Sequence, residues 1–294
     1  MSDIRNTSPR HVAFYGSRRQ DGHVGNIIAL IKALLDRGIK ISLERRLADV
    51  LIDEGFRPAV HGIDTCTAFP AESELAVSVG GDGTFLRTAQ WIDGRQVPIV
   101  GINTGHLGFL AENSTDDVDR FVELICSGEA EVERRMLLEV ECDRLPSKPL
   151  YALNEVAFLK GAASMIDVSV KADGMYLANY RADGLLAATP TGSTAYNLSV
   201  GGPIVAPTLS CIILSPIAPH TLTLRPVVIS GDSTIEVEVS SRATSFRLSV
   251  DGRSSDIPCG AVVKIRKASR EVLTLRRPGE NFATTLRTKL SWGT

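Results

Sequence analysis

The chain has 294 residues, 44% of them hydrophobic and 22% charged, which is the composition of a globular protein long enough for one large or two ordinary domains. Its 32 Lys and Arg nearly balance its 34 Asp and Glu, for a formal net charge of −2, so the basic excess expected of a nucleic-acid binder is missing. Five cysteines without a C-x-x-C pair, a polar Met1–Arg10 and no apolar run near the ~18 residues of a membrane helix lead to the expectation of a cytoplasmic protein without disulfides, a zinc site or a membrane partner.

In chain order, "HVAFYG" (11–16) reads as a strand and "VGNIIALIKALLDRG" (24–38) as a helix closed by Gly38. "KISLE" (40–44) is a second strand and "ADVLIDEGF" (48–56) a weaker helix. "LAVSVGG" (75–81) is a third strand, "GTFLRTAQWI" (83–92) a helix, and "VPIVGIN" (97–103) a fourth strand. "STDDVDRFVELICSGE" (114–129) is a helix with Ser114 or Thr115 at its start and acids in its first turn. Strands alternating with helices imply parallel strands joined by crossover helices, an open α/β sheet. Near residue 135 the rhythm changes to short alternating runs, among them "MLLEVEC", "YALNEVAFLK", "MIDVSVKADG", "TIEVEVS", "FRLSVDG" and "AVVKIRK", separated by turn signals. Residues 1–135 thus read as an α/β domain and 136–269 as a β-rich one, with a helical pattern returning in "NFATTLRTKLSW" (281–292).

"SVGGDGTFLRTA" (78–89) sets Gly80, Gly81 and Gly83 around Asp82 at the carboxyl end of the third strand. Glycines are costly inside an element. In open parallel sheets ligands bind outside the carboxyl ends of strands, and N–H groups at a helix start attract an anion such as phosphate. A carboxylate beside phosphates either holds a divalent cation or takes a proton from an attacking hydroxyl. Alternatively Asp82 merely caps the helix. The chain has neither G-x-x-x-x-G-K-[ST] nor a G-x-G-x-x-G after a strand, so neither a Walker-type NTPase nor a standard dinucleotide-binding dehydrogenase is indicated. A second stretch, "RADGLLAATPTGSTAYNLSVGGPI" (181–204), is rich in Gly, Ser and Thr and too long for a structureless linker, which points to a ligand-binding loop.

"GGDGTFL" (80–86), "GINTGHLGFL" (101–110), "LNEV" (153–156), the 181–204 stretch, "PHTLTLRPVVI" (219–229), Asp251-Gly252 and "NFATTLRTKLSW" together resemble the NAD kinases, in their bacterial form, from about residue 75 onward. The resemblance implies transfer of the γ-phosphoryl group of ATP to the adenosine-ribose 2′-hydroxyl of NAD, giving NADP, with Mg²⁺ arriving mainly through ATP. It implies an N-terminal Rossmann-like, phosphofructokinase-like α/β domain and a C-terminal β-sandwich-like domain. Residues 270–294 would return to the first domain, the site would lie between the two, and the enzyme would be a homodimer or homotetramer. By matched position, Asp82 corresponds to the catalytic carboxylate, and Gly83 and Thr84 lend backbone to the phosphates. Phe109 lines the adenine pocket, or else packs in the core. Asn154 and Glu155 bind ribose hydroxyls, or form a strand-end turn. Asp183 contacts the nicotinamide end, and Arg181 positions Asp183 or a phosphate. Thr194, Ala195, Tyr196 and Ser199 hold the adenine and diphosphate side of NAD. Asp251 is a further pocket carboxylate, or the corner of a type I′ turn. His106 shapes the site loop and His220 lies at a subunit contact, or each is an ordinary surface or core histidine. A lipid kinase with the same glycine turn and a non-catalytic NAD(P)-binding regulator remain as alternatives.

Overall fold

The computed structural model describes residues 8–18, 20, 22–105, 108–145, 149–161 and 164–293. They divide into two compact units, one of Met1–Arg134 with Val272–Thr294 and one of Arg135–Glu271.

The first unit is built on strands β1 (His11–Gly16), β2 (Lys40–Glu44), β3 (Asp64–Cys66), β4 (Leu75–Val79), β5 (Ile99–Asn103) and the short β6 (Asn113–Ser114). They pair in parallel in the order β3-β2-β1-β4-β5, with β6 beside β5. β1, β4 and β5 are buried along their whole length, as parallel strands covered on both faces must be. Helices α1 (Val24–Leu35), α2 (Arg45–Asp53), α3 (Asp82–Ile92) and α4 (Val118–Cys126) follow β1, β2, β4 and β6. Ile27, Leu30, Ile31 and Leu34 form the buried stripe of α1, at the 3–4-residue spacing that aligns one helix face. They pack with Phe14, Leu43, Val77 and Phe121 in the core of this unit.

Two helix starts differ from the sequence reading. The α2 helix begins at Arg45 because the Glu44 carboxylate caps it, accepting the Arg46 N–H at 2.9 Å. Asp117, not Ser114 or Thr115, caps α4 and accepts the Arg120 N–H at 3.0 Å. Local hydroxyls and carboxylates compete for each cap, and only the path of the chain selects one.

Strand β7 (Glu131–Glu141) leads into the second unit, which continues with β8 (Leu150–Ala152), β9 (Glu155–Lys160), β10 (Ile166–Ala172), β11 (Met175–Ala182) and β12 (Gly184–Ala188). A one-turn helix α5 (Tyr196–Ser199) precedes β13 (Cys211–Ile217), β14 (Val227–Ser230), β15 (Ile235–Ser241), β16 (Ser245–Val250), β17 (Arg253–Pro258) and the long β18 (Val262–Arg276). One antiparallel sheet has the order β14-β13-β12-β9-β16-β17; β11, β10, β15 and β18 pair antiparallel in another. Buried and partly exposed positions alternate along β10 and β15, the pattern of strands with one face on a core. Val168, Val170, Val237, Val239 and Ile265 fill that core with Phe158 and Phe246, whose rings stack at 6.0 Å. The final helix α6 (Phe282–Leu290) belongs to the first unit and is capped by the Asn281 side chain. Among the described residues no helix is long and apolar enough to cross a membrane.

Candidate active site

In the first unit β4 ends at Val79, and Gly80 and Gly81 carry the chain into α3, whose first residue is Asp82. Gly80 is required here: its φ is +143° and a Cβ would lie 2.5 Å from Thr84 Oγ1. Gly81 is not, because its backbone is extended (φ −78°, ψ −173°) and a Cβ would meet nothing within 4 Å. At Gly83 a Cβ would touch only Arg87 Nη1, at an ordinary 3.8 Å. The fold therefore leaves open space above two of the three glycines. The N–H groups of Asp82 and Gly83 stand in the first helical turn and have no intrahelical carbonyl to bond. Thr84 differs from its expected role. Its N–H donates to Gly81 O at 2.8 Å and its buried hydroxyl accepts from Arg87 Nη2 at 3.0 Å, so both serve the turn itself.

The Asp82 side chain does not cap its own helix. Its carboxylate accepts three successive N–H groups of the loop after β5: Phe109 at 2.8 Å on one oxygen, Leu110 and Ala111 at 3.0 Å each on the other. Gly108 makes this possible, since a Cβ there would fall 1.9 Å from Asp82 Oδ1. A carboxylate has about four lone-pair sites. Three are occupied, which leaves acceptor capacity for one more donor. Phe109 is half-buried rather than a core residue. His106 lies outside the described residues.

In the second unit β9 runs antiparallel to both β12 and β16, so the start of β9 meets the ends of the other two. Asp251 and Gly252 form the two-residue turn between β16 and β17, with φ of 45° and 77° as a type I′ hairpin requires. The turn is also a clamp: the Asp251 carboxylate accepts the N–H groups of Leu153 (2.7 Å), Asn154 (2.9 Å) and Glu155 (3.2 Å). Burial pushes the Asp251 carboxyl up from its ordinary value, and the three N–H bonds pull against that shift. Glu155 is held directly beside it. Its Oε2 is buried with no hydrogen-bond partner, and burial, reinforced by the Asp251 charge, pushes its carboxyl up to about 7.

The segment after β12 docks on this turn. Thr189 N donates to Asn154 O at 2.9 Å, its hydroxyl donates to Leu153 O, and Gly192 N donates back to that hydroxyl at 3.0 Å. Ser193 and Asn197 are fully buried: Ser193 Oγ bonds the backbone of Val205, and Asn197 bonds Ser193 O, Pro203 O and the Ser215 hydroxyl. These buried residues fix the loop and leave Thr194 and Ala195 half-buried and Tyr196 and Ser199 exposed. Asn154, Glu155, Asp251 and the Thr194–Ser199 face thus gather at one end of one sheet.

Two family models match the chain: the ATP-NAD kinase N-terminal domain over residues 28–130 and the ATP-NAD kinase C-terminal domain over residues 153–277. The chain is also 42% identical over 287 residues to the NAD kinase of Porphyromonas gingivalis, covering 97% of this chain and 98% of that relative. The chain belongs to the ATP-NAD kinase family. Its activity is the phosphorylation of NAD with ATP as the donor, and neither a lipid kinase nor a non-catalytic regulator is favoured. A solved NAD kinase from Archaeoglobus fulgidus in complex with ATP is 31% identical, with a TM-score of 0.71 over 96% of this chain and 98% of that one. Yeast NADH kinase complexed with NADH, at 22% identity, shares the fold with a TM-score of 0.87 over 100% of this chain and 93% of that one.

Two expected site residues of this kinase lie elsewhere. Asp183 precedes β12, at the opposite end of that strand from Ala188, about 16 Å away at about 3.3 Å per residue. Its partner is Lys160 Nζ at 2.7 Å, on the neighbouring β9, and not Arg181. Arg181 is exposed, and its carbonyl accepts the His220 N–H at 2.9 Å. Sequence reasoning missed Lys160 because a lysine ending a strand carries no local signal; only the antiparallel β9–β12 register brings it to Asp183.

The Glu155 carboxyl has a measurable consequence. The folded chain holds this proton up to about pH 7, against an ordinary value of 4.5, so between those values it binds more protons than the unfolded chain. Stability from this group therefore falls as pH rises through that window, by up to about 3 kcal/mol. Glu155→Gln is expected to flatten this part of the pH dependence and to melt higher than the wild type at pH 8 without nucleotide. Parallel curves of melting temperature against pH from 5 to 8 would refute it.

Proposed function

We propose that Asp82 receives the proton of the adenosine-ribose 2′-hydroxyl of NAD as that oxygen attacks the γ-phosphorus of ATP, releasing ADP and leaving NADP. The observation that carries this reading is the open space over Gly81 and Gly83 beside a carboxylate with one acceptor site to spare. The first-turn N–H groups of α3 would receive phosphate oxygens, which the helix N-terminus favours. Phosphoryl transfer asks mainly for alignment and charge neutralisation, and a rigidly clamped Asp82 supplies alignment.

In the second unit, the partnerless Glu155 Oε2 is suited to accept a ribose hydroxyl, with Asn154 beside it. Thr194, Ala195, Tyr196 and Ser199 present the face for the adenine and diphosphate side of NAD, with the exposed Tyr196 ring offering a stacking surface. By its matched position in the family, Phe109 would border the adenine. Arg181, Asp183 and His220 lie away from that cluster, which suits a homo-oligomer in which they serve a neighbouring copy. Among the described residues no group of three or more His, Cys, Asp or Glu could hold a metal ion. Mg²⁺ keeps most of its waters and binds through phosphates and one or two carboxylates, a pattern that fits entry with ATP next to Asp82. Bound there it would neutralise phosphate charge. The protein would work in the cytoplasm, whose reducing conditions keep cysteines as thiols.

Purified protein incubated with ATP, NAD and Mg²⁺ is expected to form NADP in proportion to the ATP consumed, detected with an NADP-specific dehydrogenase. Chelation of the Mg²⁺ is expected to stop it. A folded, NAD-binding protein that forms no NADP would sink the reading.

A further inference from the structure

The C-terminal helix α6 carries a cation whose charged end has no partner. Lys289 Nζ is buried and has no hydrogen-bond partner. An ammonium has three donors and no acceptor, and burying one with none satisfied is costly. Burial lowers the Lys289 pKa, while the carboxylates of Glu112, Asp82 and Glu280 raise it.

Asp82 holds the N–H groups of Phe109, Leu110 and Ala111, and the next residue is Glu112. Glu112 Oε1 meets the Thr285 hydroxyl of α6 at 3.5 Å, and Glu112 Oε2 pairs with Arg276 at 3.3 Å. Thr285 and Lys289 are four residues apart on one helix, hence on one face. The face of α6 seated on Glu112 therefore carries the Lys289 ammonium toward the loop that Asp82 clamps. Two of the three carboxylates acting on it have arginines of their own: Glu112 has Arg276, and Glu280 has Arg277 at 3.6 Å. Asp82 is bonded by backbone N–H groups. Neutralising neighbours does not account for this lysine.

We propose that Lys289 binds the terminal phosphates of ATP beside Asp82, as a point charge delivered by the C-terminal helix. The proposal rests on the reading of the Gly80–Gly83 turn as the phosphate site. Phosphate supplies what the ammonium lacks: oxygen acceptors for its three donors and negative charge that offsets its burial. A lysine acting this way on phosphate is a common solution. The arrangement also gives the returning C-terminal segment a chemical role besides packing.

The test is Lys289→Met, which keeps the aliphatic stem, with Lys289→Arg as the charge-retaining control and Gly83→Val as the control for the turn. Affinity for a non-hydrolysable ATP analogue is measured by calorimetry, and kcat and both KM values by NADP formation. In Lys289→Met the analogue is expected to bind about 10- to 100-fold more weakly. KM for ATP rises and kcat falls while KM for NAD stays within about twofold, and Lys289→Arg recovers part of the loss. A lysine that only packs would change melting temperature without this split between the two substrates. Wild-type analogue affinity and turnover in Lys289→Met overturn the proposal. If Gly83→Val loses the analogue while Lys289→Met does not, the lysine assignment alone falls; if neither does, the phosphate-site reading fails with it. Should the Met variant not fold, Lys289→Gln takes its place, with the same two outcomes.

Discussion

Asp82→Asn is expected to reduce NADP formation by about 10²- to 10⁴-fold, the range usual for removing a general base. It is also expected to lower the melting temperature. The carboxylate accepts three loop N–H groups through both of its oxygens. An amide keeps one oxygen and turns the other position into a donor, so at least one of those N–H groups faces another donor. An unsatisfied buried partner costs about 1–3 kcal/mol. Asp82→Ala removes every acceptor and should melt lower still. The two effects separate by binding: if Asn damaged only the loop, affinity for an ATP analogue would fall along with turnover. If Asn removes the proton acceptor, turnover falls far more than affinity. A folded Asp82→Asn enzyme with near wild-type kcat would refute the catalytic assignment.

Gly83→Ala is expected to make a more stable and worse enzyme. Gly83 is in the first turn of α3, and Ala is favoured over Gly in helices by up to about 1 kcal/mol. Its Cβ would meet only Arg87 Nη1, at 3.8 Å, so the fold has room for it. The same Cβ would stand where, on the proposed reading, a phosphate approaches the backbone. A displacement of about 1 Å at a reacting centre can cost 10²-fold, and kcat/KM for ATP should fall by about 10- to 100-fold. Gly81→Ala should behave alike in activity, with little change in stability. Higher melting temperature with unchanged ATP kinetics would reduce the glycine turn to a plain helix start. Both substitutions bear on the same point: the fold does not require these two glycines, so a loss of activity on substitution would assign them to a ligand.

Much of the architecture was legible in the chain. "KISLE" is β2 to the residue, and the apolar spacing that marked "VGNIIALIKALLDRG" is the buried stripe of α1. Glycines on both sides mark Asp82 locally, whereas Thr194, Ala195, Tyr196 and Ser199 are marked only by the resemblance to the family. Other features were not legible. "YALNEVAFLK" reads as one strand, yet the chain breaks at Leu153 and Asn154 between β8 and β9. The cause is Asp251, nearly a hundred residues away, whose carboxylate takes N–H groups that a strand would pair across the sheet. The two "ADG" triplets also look alike. Asp173-Gly174 makes a tight turn with φ of 52° and 78°, whereas Asp183-Gly184 bends the chain from β11 into β12 while Asp183 pairs with Lys160.

The alternation of elements, the two kinds of domain and the family's motifs are readable from the chain alone, because periodicity, turn chemistry and glycine placement act between residues a few positions apart. What each charge faces depends on contacts between distant parts of the folded chain. Asp82 holds a loop 27 to 29 residues ahead, Asp251 holds a turn 96 to 98 residues behind, and Lys289 on the last helix feels the charges of Glu112 and Asp82. A charged side chain carries no local mark of its partner. Its burial, its pKa and its role are set by which strands pair and where a distant segment returns.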